Sequence, residues 1–258
     1  MSRHFYPFDT PIHKFPISVI VIVDMDCNGM LRFFERISHQ THQAFELIVV
    51  AQNISSEAKC ALLQFQAQSE IDIKIIVDKC SIAKLLNRAV IAATHSYLVF
   101  TTTQNVPAKE FLSMLMQKRY GQRCLMVCMK KSSYSASLPK SVAWALHSFY
   151  HLLVFPFQSI LACGATWNWS GVGCWKRDVI AVNGFNDKVS FSLLGTELCL
   201  RLYNSGVRVK IAPIVASEGM VSVPFADGDQ RNISPHIVSS VKHNRLDWIS
   251  GGIDSIQG

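Results

Sequence analysis

Two nearly continuous apolar runs, Ile17-Ser-Val-Ile-Val-Ile-Val-Asp24 and Phe45-Glu-Leu-Ile-Val-Val50, flank a segment of different rhythm. In that segment Leu31, Phe34 and Ile37 recur at helical spacing, with Arg32, Glu35 and Arg36 between them. The β-branched runs read as strands of a parallel sheet covered on both faces, and the segment between them as an amphipathic helix. In a βαβ unit of this kind ligands gather at the carboxyl ends of the strands. Those ends are Val23 to Cys27 and Val50 to Asn53.

The alternation continues. Ile54 to Gln68 reads as a second helix, with Ser55 or Ser56 as N-cap and Ala61, Leu62 and Phe65 on one face. Ile71 to Val77 is a third strand. Ser81 to Thr94 is a third helix, with Ile82, Leu85, Leu86, Ala89 and Val90 inward. Tyr97 to Thr101 is a fourth strand, ending in the polar run Thr101-Thr-Thr-Gln-Asn105. Pro107 is expected to open a further helix, with Phe111, Leu112, Met114 and Leu115 inward. Cys124 to Met129 is a fifth strand. Ser141 to Phe155 reads as a helix stopped by Pro156, and Trp167 to Trp175 as extended chain. Arg177 to Val182 is a short helix closed by Asn183-Gly184. Leu193 to Asn204 is a helix stopped at Gly206, and Val207 to Ile211 a last strand. The pattern predicts an α/β fold with a mostly parallel central sheet flanked by helices. The tail beyond Pro224 is polar and Gly-rich and is assigned no element.

Composition excludes some classes. The chain has 258 residues, 49% hydrophobic and only 17% charged, enough for one sizeable folded domain. Its eight cysteines are dispersed without CxxC spacing, which fits a reducing, cytoplasmic setting better than a disulfide framework. Met1 to Pro16 carries no secretory signal pattern. The net charge of +7 is concentrated: Val106 to Lys140 holds seven basic residues against Glu110, and Ser141 to Trp175 holds no charge at all. That juxtaposition reads either as a solvated helix face followed by core or as a site for an anionic membrane surface. Ser141 to Cys163 contains His147, His151, Gln158 and Pro156, which favours a buried or interfacial helix over a membrane span. No recognition motif accompanies the basic segment, so nucleic acid is not expected as a partner.

The motifs occur in the order seen in a known family. Ser18-Val-Ile-Val, Ser38-His-Gln-Thr41, Phe45-Glu-Leu-Ile-Val-Val50, Leu86-Asn-Arg-Ala89, Tyr97-Leu-Val-Phe100 before Val106-Pro107, Gly171 to Arg177, Gly184-Phe185, and Arg201-Leu202 through Gly206-Val-Arg-Val209 resemble the family 2 glycosyltransferases. These have the GT-A type nucleotide-sugar-binding fold. The resemblance runs over residues 16–215, which divides the chain into a lead-in (1–16), a GT-A glycosyltransferase-like domain (17–215) and a tail (216–258).

The resemblance implies transfer of a sugar from a nucleoside-diphosphate sugar to an acceptor hydroxyl. It implies donor-binding roles for Asp24, Asp26, Gln52, Asn53, Asn87, Thr102 and Gln104, and an acceptor region at Trp169, Gly171 and Trp175. The family's metal-holding Asp-x-Asp falls on Thr102 and Gln104, neutral groups that do not suit a divalent cation. No His stands near Ser217-Glu218-Gly219, where the family often completes the metal shell. No metal or other cofactor is therefore expected at that place, with Lys84, Arg88, Lys176 and Arg177 as candidates to replace its charge. The catalytic base is open between two alignments. Counted without gaps, Leu194 and Gly195 stand on the family's acidic pair; with a small gap, Thr196-Glu197 does, and Glu197 is the base. Otherwise Glu197 is an acid paired with Arg201 one helical turn on. A lipid-linked or saccharide acceptor and a cytoplasmic, membrane-associated location complete the expectation. The alternative is a catalytically inactive domain of the same fold that binds a sugar or a partner.

Two further patterns carry less. Asp24-x-Asp26-x-Asn28-Gly29 with Glu35 has the spacing of an EF-hand loop, but a strand precedes it and it ends inside a helix, so it reads as coincidence. His147 and His151 have a zinc-compatible i, i+4 spacing with no third ligand nearby in sequence.

Overall fold

A computed structural model describes residues 15–23, 27–117, 124–128, 169 and 171–212. Their strands are β1 (Ile17–Ile22), β2 (Phe45–Gln52), β3 (Asp72–Asp78), β4 (Tyr97–Thr102), β5 (Cys124–Cys128), β6 (Val172–Trp175) and β7 (Arg208–Ala212). They form one seven-stranded sheet in the order β3-β2-β1-β4-β6-β5-β7. The β3-β2-β1-β4 half is parallel throughout, and β5 pairs parallel with β7. β6 lies between β4 and β5 and runs antiparallel to both.

The helices described are α1 (Cys27–Ser38), α2 (Ser56–Gln68), α3 (Ile82–Ala92), α4 (Phe111–Gln117), α5 (Lys176–Ala181) and α6 (Phe191–Asn204). They cover the sheet on both sides. Val19 and Val21 of β1 face a core shared with α1, α2 and α4; Ile20 and Ile22 face a second core shared with α3, α5 and α6. This period-two alternation is why β1 reads as continuously apolar: neither face meets water. Ser55 and Ser81 accept the backbone N–H groups of Ala58 (3.1 Å) and Lys84 (3.4 Å) and so start α2 and α3.

α3 ends against charge. Lys74 Nζ donates to the carbonyl of Ala92 (3.0 Å), and Lys176 Nζ to those of Ile91 (3.1 Å) and Ala93 (2.7 Å). Two ammonium groups thus satisfy the open carbonyls at the negative end of the helix. Beside them Glu46, side chain 2% exposed, accepts from Ser18 Oγ (2.5 Å), Lys74 Nζ (2.6 Å) and the Thr94 backbone N–H (2.5 Å). Burial pushes its carboxyl pKa up, but the hydrogen bonds from Lys74, Ser18 and Thr94 together outweigh it and bring it to about 2.

α5 closes as its sequence foretells. Asn183 and Gly184 are both left-handed (φ 60° and 63°), and Gly184 N donates to the carbonyl of Val179 at 2.9 Å.

Some expectations change. The buried stripe of α1 is Met30, Phe33, Phe34 and Ile37, an i, i+3, i+4, i+7 set, whereas Leu31, one position round the helix from Met30, is 49% exposed. Pro107 precedes α4 instead of opening it: Phe111 N donates to the carbonyl of Ala108 (3.0 Å) in a turn before the helix. Met116 is buried on α4, and Met114 is only partly buried. Of the described residues in the expected extended segment (169 and 171–175), Val172–Trp175 form a strand and Trp169 lies in a bend. Residues 28–35 are helical, which rules out an EF-hand loop ending at Glu35. The expected helix at 141–155, His147, His151 and most of the basic segment lie outside the described residues, as do 1–14 and 213–258. Among the described residues no helix is long and apolar enough to cross a membrane.

Candidate functional site

The carboxyl ends of β1, β2, β3 and β4 form one edge of the sheet. Val23 N donates to the carbonyl of Val50 (2.8 Å) and Thr103 N to that of Ile22 (3.0 Å), so the edge stays knitted past the last strand residues. Because β6 is antiparallel to β4 and pairs Val172 with Phe100, Gly171 and Trp169 arrive at this same edge. Gln52, Asn53, Thr102, Gln104, Trp169 and Gly171 therefore lie along it.

Gln52 and Asn53 are exposed at the end of β2, and Asn53 is left-handed (φ 54°). Thr102 is 1% exposed and accepts a hydrogen bond from the amide of Asn105 (2.9 Å). Gln104 is half-buried. Trp169 is buried and stacks on Phe191 (5.1 Å, 7°) at the start of α6 and on Phe185 (6.1 Å, 27°). Asp24 and Asp26, which follow Val23 in the chain, lie outside the described residues.

Three expected site residues are placed elsewhere or engaged elsewhere. Trp175 pairs with Tyr97 at the amino end of β4, the far edge of the sheet from Trp169. It packs edge-on against Phe15 (6.1 Å) and Tyr97 (5.4 Å) in the other core. The seven residues from Trp169 to Trp175 cannot reveal in sequence that an antiparallel strand carries Trp175 away from Trp169. Asn87 is buried, and both ends of its amide are held by Phe185: Nδ2 donates to the carbonyl (2.8 Å), and Oδ1 accepts from the N–H (2.7 Å). Glu197 is 3% exposed, and Arg201 donates to both its oxygens, Nε to Oε1 (2.5 Å) and Nη2 to Oε2 (2.7 Å). Arg201 also donates to the carbonyls of Val182 and Gly184. The Asn87 amide and the Arg201 guanidinium, itself held by Glu197, fix the 182–185 loop against the helices.

The candidate cations divide the same way. Lys176 and Arg177 are at the far edge, the first on the end of α3 and the second over the Trp175 ring at 5.9 Å. Lys84 pairs with Asp187 (3.5 Å) and Arg88 with Asp78 (2.5 Å) near the carboxyl edge. The Arg88 hydrogen bond holds the Asp78 carboxyl below its ordinary value. Asn105, which bridges this edge, was not among the expected residues; its signal was an amide three residues past the end of a strand, a common turn spacing.

Similar architectures are known. The mannosyltransferase PcManGT from Pyrobaculum calidifontis, in complex with GDP-Man and Mn2+, superposes with TM-score 0.63 at 16% identity, over 86% of this chain and 62% of that one. S. aureus TarS 1-349 in complex with UDP-GlcNAc gives 0.55 at 13% identity, over 78% and 57%. The fold is of the GT-A glycosyltransferase type. The chain spans about three fifths of the length of these GT-A structures. No protein-family model and no curated protein matches it in sequence.

GT-A folds imply a divalent metal beside the donor diphosphate. Here the donor set is neutral at Thr102 and Gln104, and Thr102 Oγ1 is already engaged by Asn105. Among the described residues no group of three His, Cys, Asp or Glu side chains could hold a metal ion. Those residues do not fit a hard divalent cation, which takes charged oxygens.

Proposed function

We propose that the chain is a nucleotide-sugar-binding module of GT-A type that does not itself transfer the sugar. The nucleoside lies toward Gln52 and Asn53, and the diphosphate and sugar toward Thr102, Gln104 and the Trp169 bend. The observation that carries this reading is the Glu197–Arg201 pair. A general base must reach the acceptor proton, and this carboxylate is buried with both oxygens engaged. The solved GT-A structures bound to GDP-Man and UDP-GlcNAc support a sugar nucleotide as the ligand class. The basic segment from Val106 to Lys140 supports placing the module at an anionic membrane surface on the cytoplasmic side.

Thermal denaturation with GDP-mannose and UDP-GlcNAc, each with and without Mn2+, tests the binding. A ligand at a hundred times its Kd adds roughly 2.7 kcal/mol. Stabilisation without metal, and no release of nucleoside diphosphate on long incubation with saccharide or lipid-linked acceptors, is the expected result. Turnover would restore the transferase reading. Lack of stabilisation by either sugar nucleotide would remove the binding role.

A further inference from the structure

β4 and β6 stop pairing at Phe100 and Val172. Beyond that rung the two chains part, one into the turn from Thr102 to Asn105 and the other back to Trp169. Asn105 spans the gap. Its Nδ2 donates to Thr102 Oγ1 at 2.9 Å and to the carbonyl of Trp169 at 3.1 Å, and the residue is 6% exposed. A primary amide nitrogen carries two hydrogens, so both are committed. The partner across the gap is itself in an uncommon conformation: Trp169 has φ 56°, a region that bulky L residues rarely adopt, with its ring held on Phe191.

We propose that Asn105 is a positioning residue of the sugar-nucleotide site. It sets the separation between the end of β4 and the Trp169 bend, and with it the width of the crevice where the sugar is received. This rests on the binding role proposed above. The side-chain chemistry is specific. Alanine supplies no donor. Aspartate has the same size, and the Thr102 hydroxyl can turn to donate to it, but its carboxylate faces the Trp169 carbonyl with no hydrogen between them. The nucleoside end, at Gln52 and Asn53, is two strands away across β1 and does not depend on this contact.

Titration calorimetry with UDP, UDP-GlcNAc, GDP and GDP-mannose on the wild type, Asn105→Ala and Asn105→Asp tests this, with a melting curve for each protein. Both variants are expected to keep affinity for the nucleoside diphosphate within about twofold and to lose about tenfold for the matching sugar nucleotide, the scale of one hydrogen bond. Asn105→Asp, which keeps the size of the side chain, carries the test if Asn105→Ala does not fold. Equal loss for nucleotide and sugar nucleotide, or no loss for either, would make Asn105 a structural residue only and overturn the proposal. A wild type that binds none of the four ligands overturns the binding role itself, and is told apart because no variant is needed to see it.

Discussion

Arg201 grips Glu197 through two parallel hydrogen bonds, 2.5 and 2.7 Å, from one turn further along α6. The pair is buried, and the guanidinium reaches on to the carbonyls of Val182 and Gly184, so its donors are distributed between a carboxylate and a loop. Such a fork binds geometry as well as charge. Removing one partner leaves the other charge buried and uncompensated.

Glu197→Gln is therefore expected to lower stability by on the order of 3 kcal/mol. Sugar-nucleotide affinity, measured on the folded variant below its melting temperature, should not change. A catalytic base would behave the other way, with the melting temperature nearly unmoved and turnover abolished, and denaturation curves beside a donor-turnover assay separate the two.

Acid should find Glu46 next. Its folded-state pKa of about 2 lies below the ordinary 4.5. The stabilisation is present above the ordinary value and is lost as pH falls from there toward about 2. At 1.36 kcal/mol per unit the loss is roughly 3 kcal/mol. Urea midpoints taken on descending pH should fall through this window. In Lys74→Met, which lacks the ammonium bonded to Glu46, the fall should be shallower; an equal slope in both proteins would remove Glu46 as the cause.

Gly173 lies under Tyr97. A Cβ at this position would meet the Tyr97 hydroxyl oxygen at 2.5 Å, ring Cζ at 3.0 Å and Leu115 Cδ2 at 3.1 Å. Tyr97 is buried and wedged against Trp175, so it has little room to yield. Gly173→Ala should cost about 1–3 kcal/mol by overpacking. Adding Tyr97→Phe, which removes the nearest atom, should return part of that, and strict additivity in the double-mutant cycle would show that the clash is elsewhere.

Asn87→Ala should destabilise by about 2 kcal/mol, since it takes away two buried hydrogen bonds and leaves the Phe185 N–H and carbonyl unmatched. Nucleoside diphosphate affinity should be preserved. A selective loss of that affinity with an unchanged melting curve would return Asn87 to the donor site.

The parallel half of the sheet was legible because its strands are buried on both faces, and Val19 and Ile20 need the same chemistry although they face different cores. Ser55, one of two candidate caps for α2, was legible because a cap acts within three residues, whereas Ser81, read as the first residue of α3, is its cap. Arg201 at i+4 from Glu197 was visible as a spacing, but whether that carboxylate faced solvent or core depends on how deep α6 sits, which tertiary packing alone decides. Trp175 was misplaced for a related reason. An apolar run of four residues has no direction written in it, and the antiparallel course of β6 sends Trp169 and Trp175 to opposite edges. Asn87 has the polarity of a ligand contact, and only its distance to Phe185, 98 positions away in sequence, shows that its amide is used internally.

The closed turn after α5 also bears on how the protein ages. Asparagine followed by glycine is prone to cyclise to a succinimide, a reaction in which the glycine amide nitrogen attacks the asparagine side-chain carbonyl. At Asn183-Gly184 that nitrogen is already committed, its hydrogen donated to Val179. The native state thus withholds the nucleophile, and the unfolded chain releases it. Deamidation at Asn183, followed by mass spectrometry during storage, becomes a clock that runs only while the 179–184 turn is open, and it leaves a permanent chemical record of each excursion.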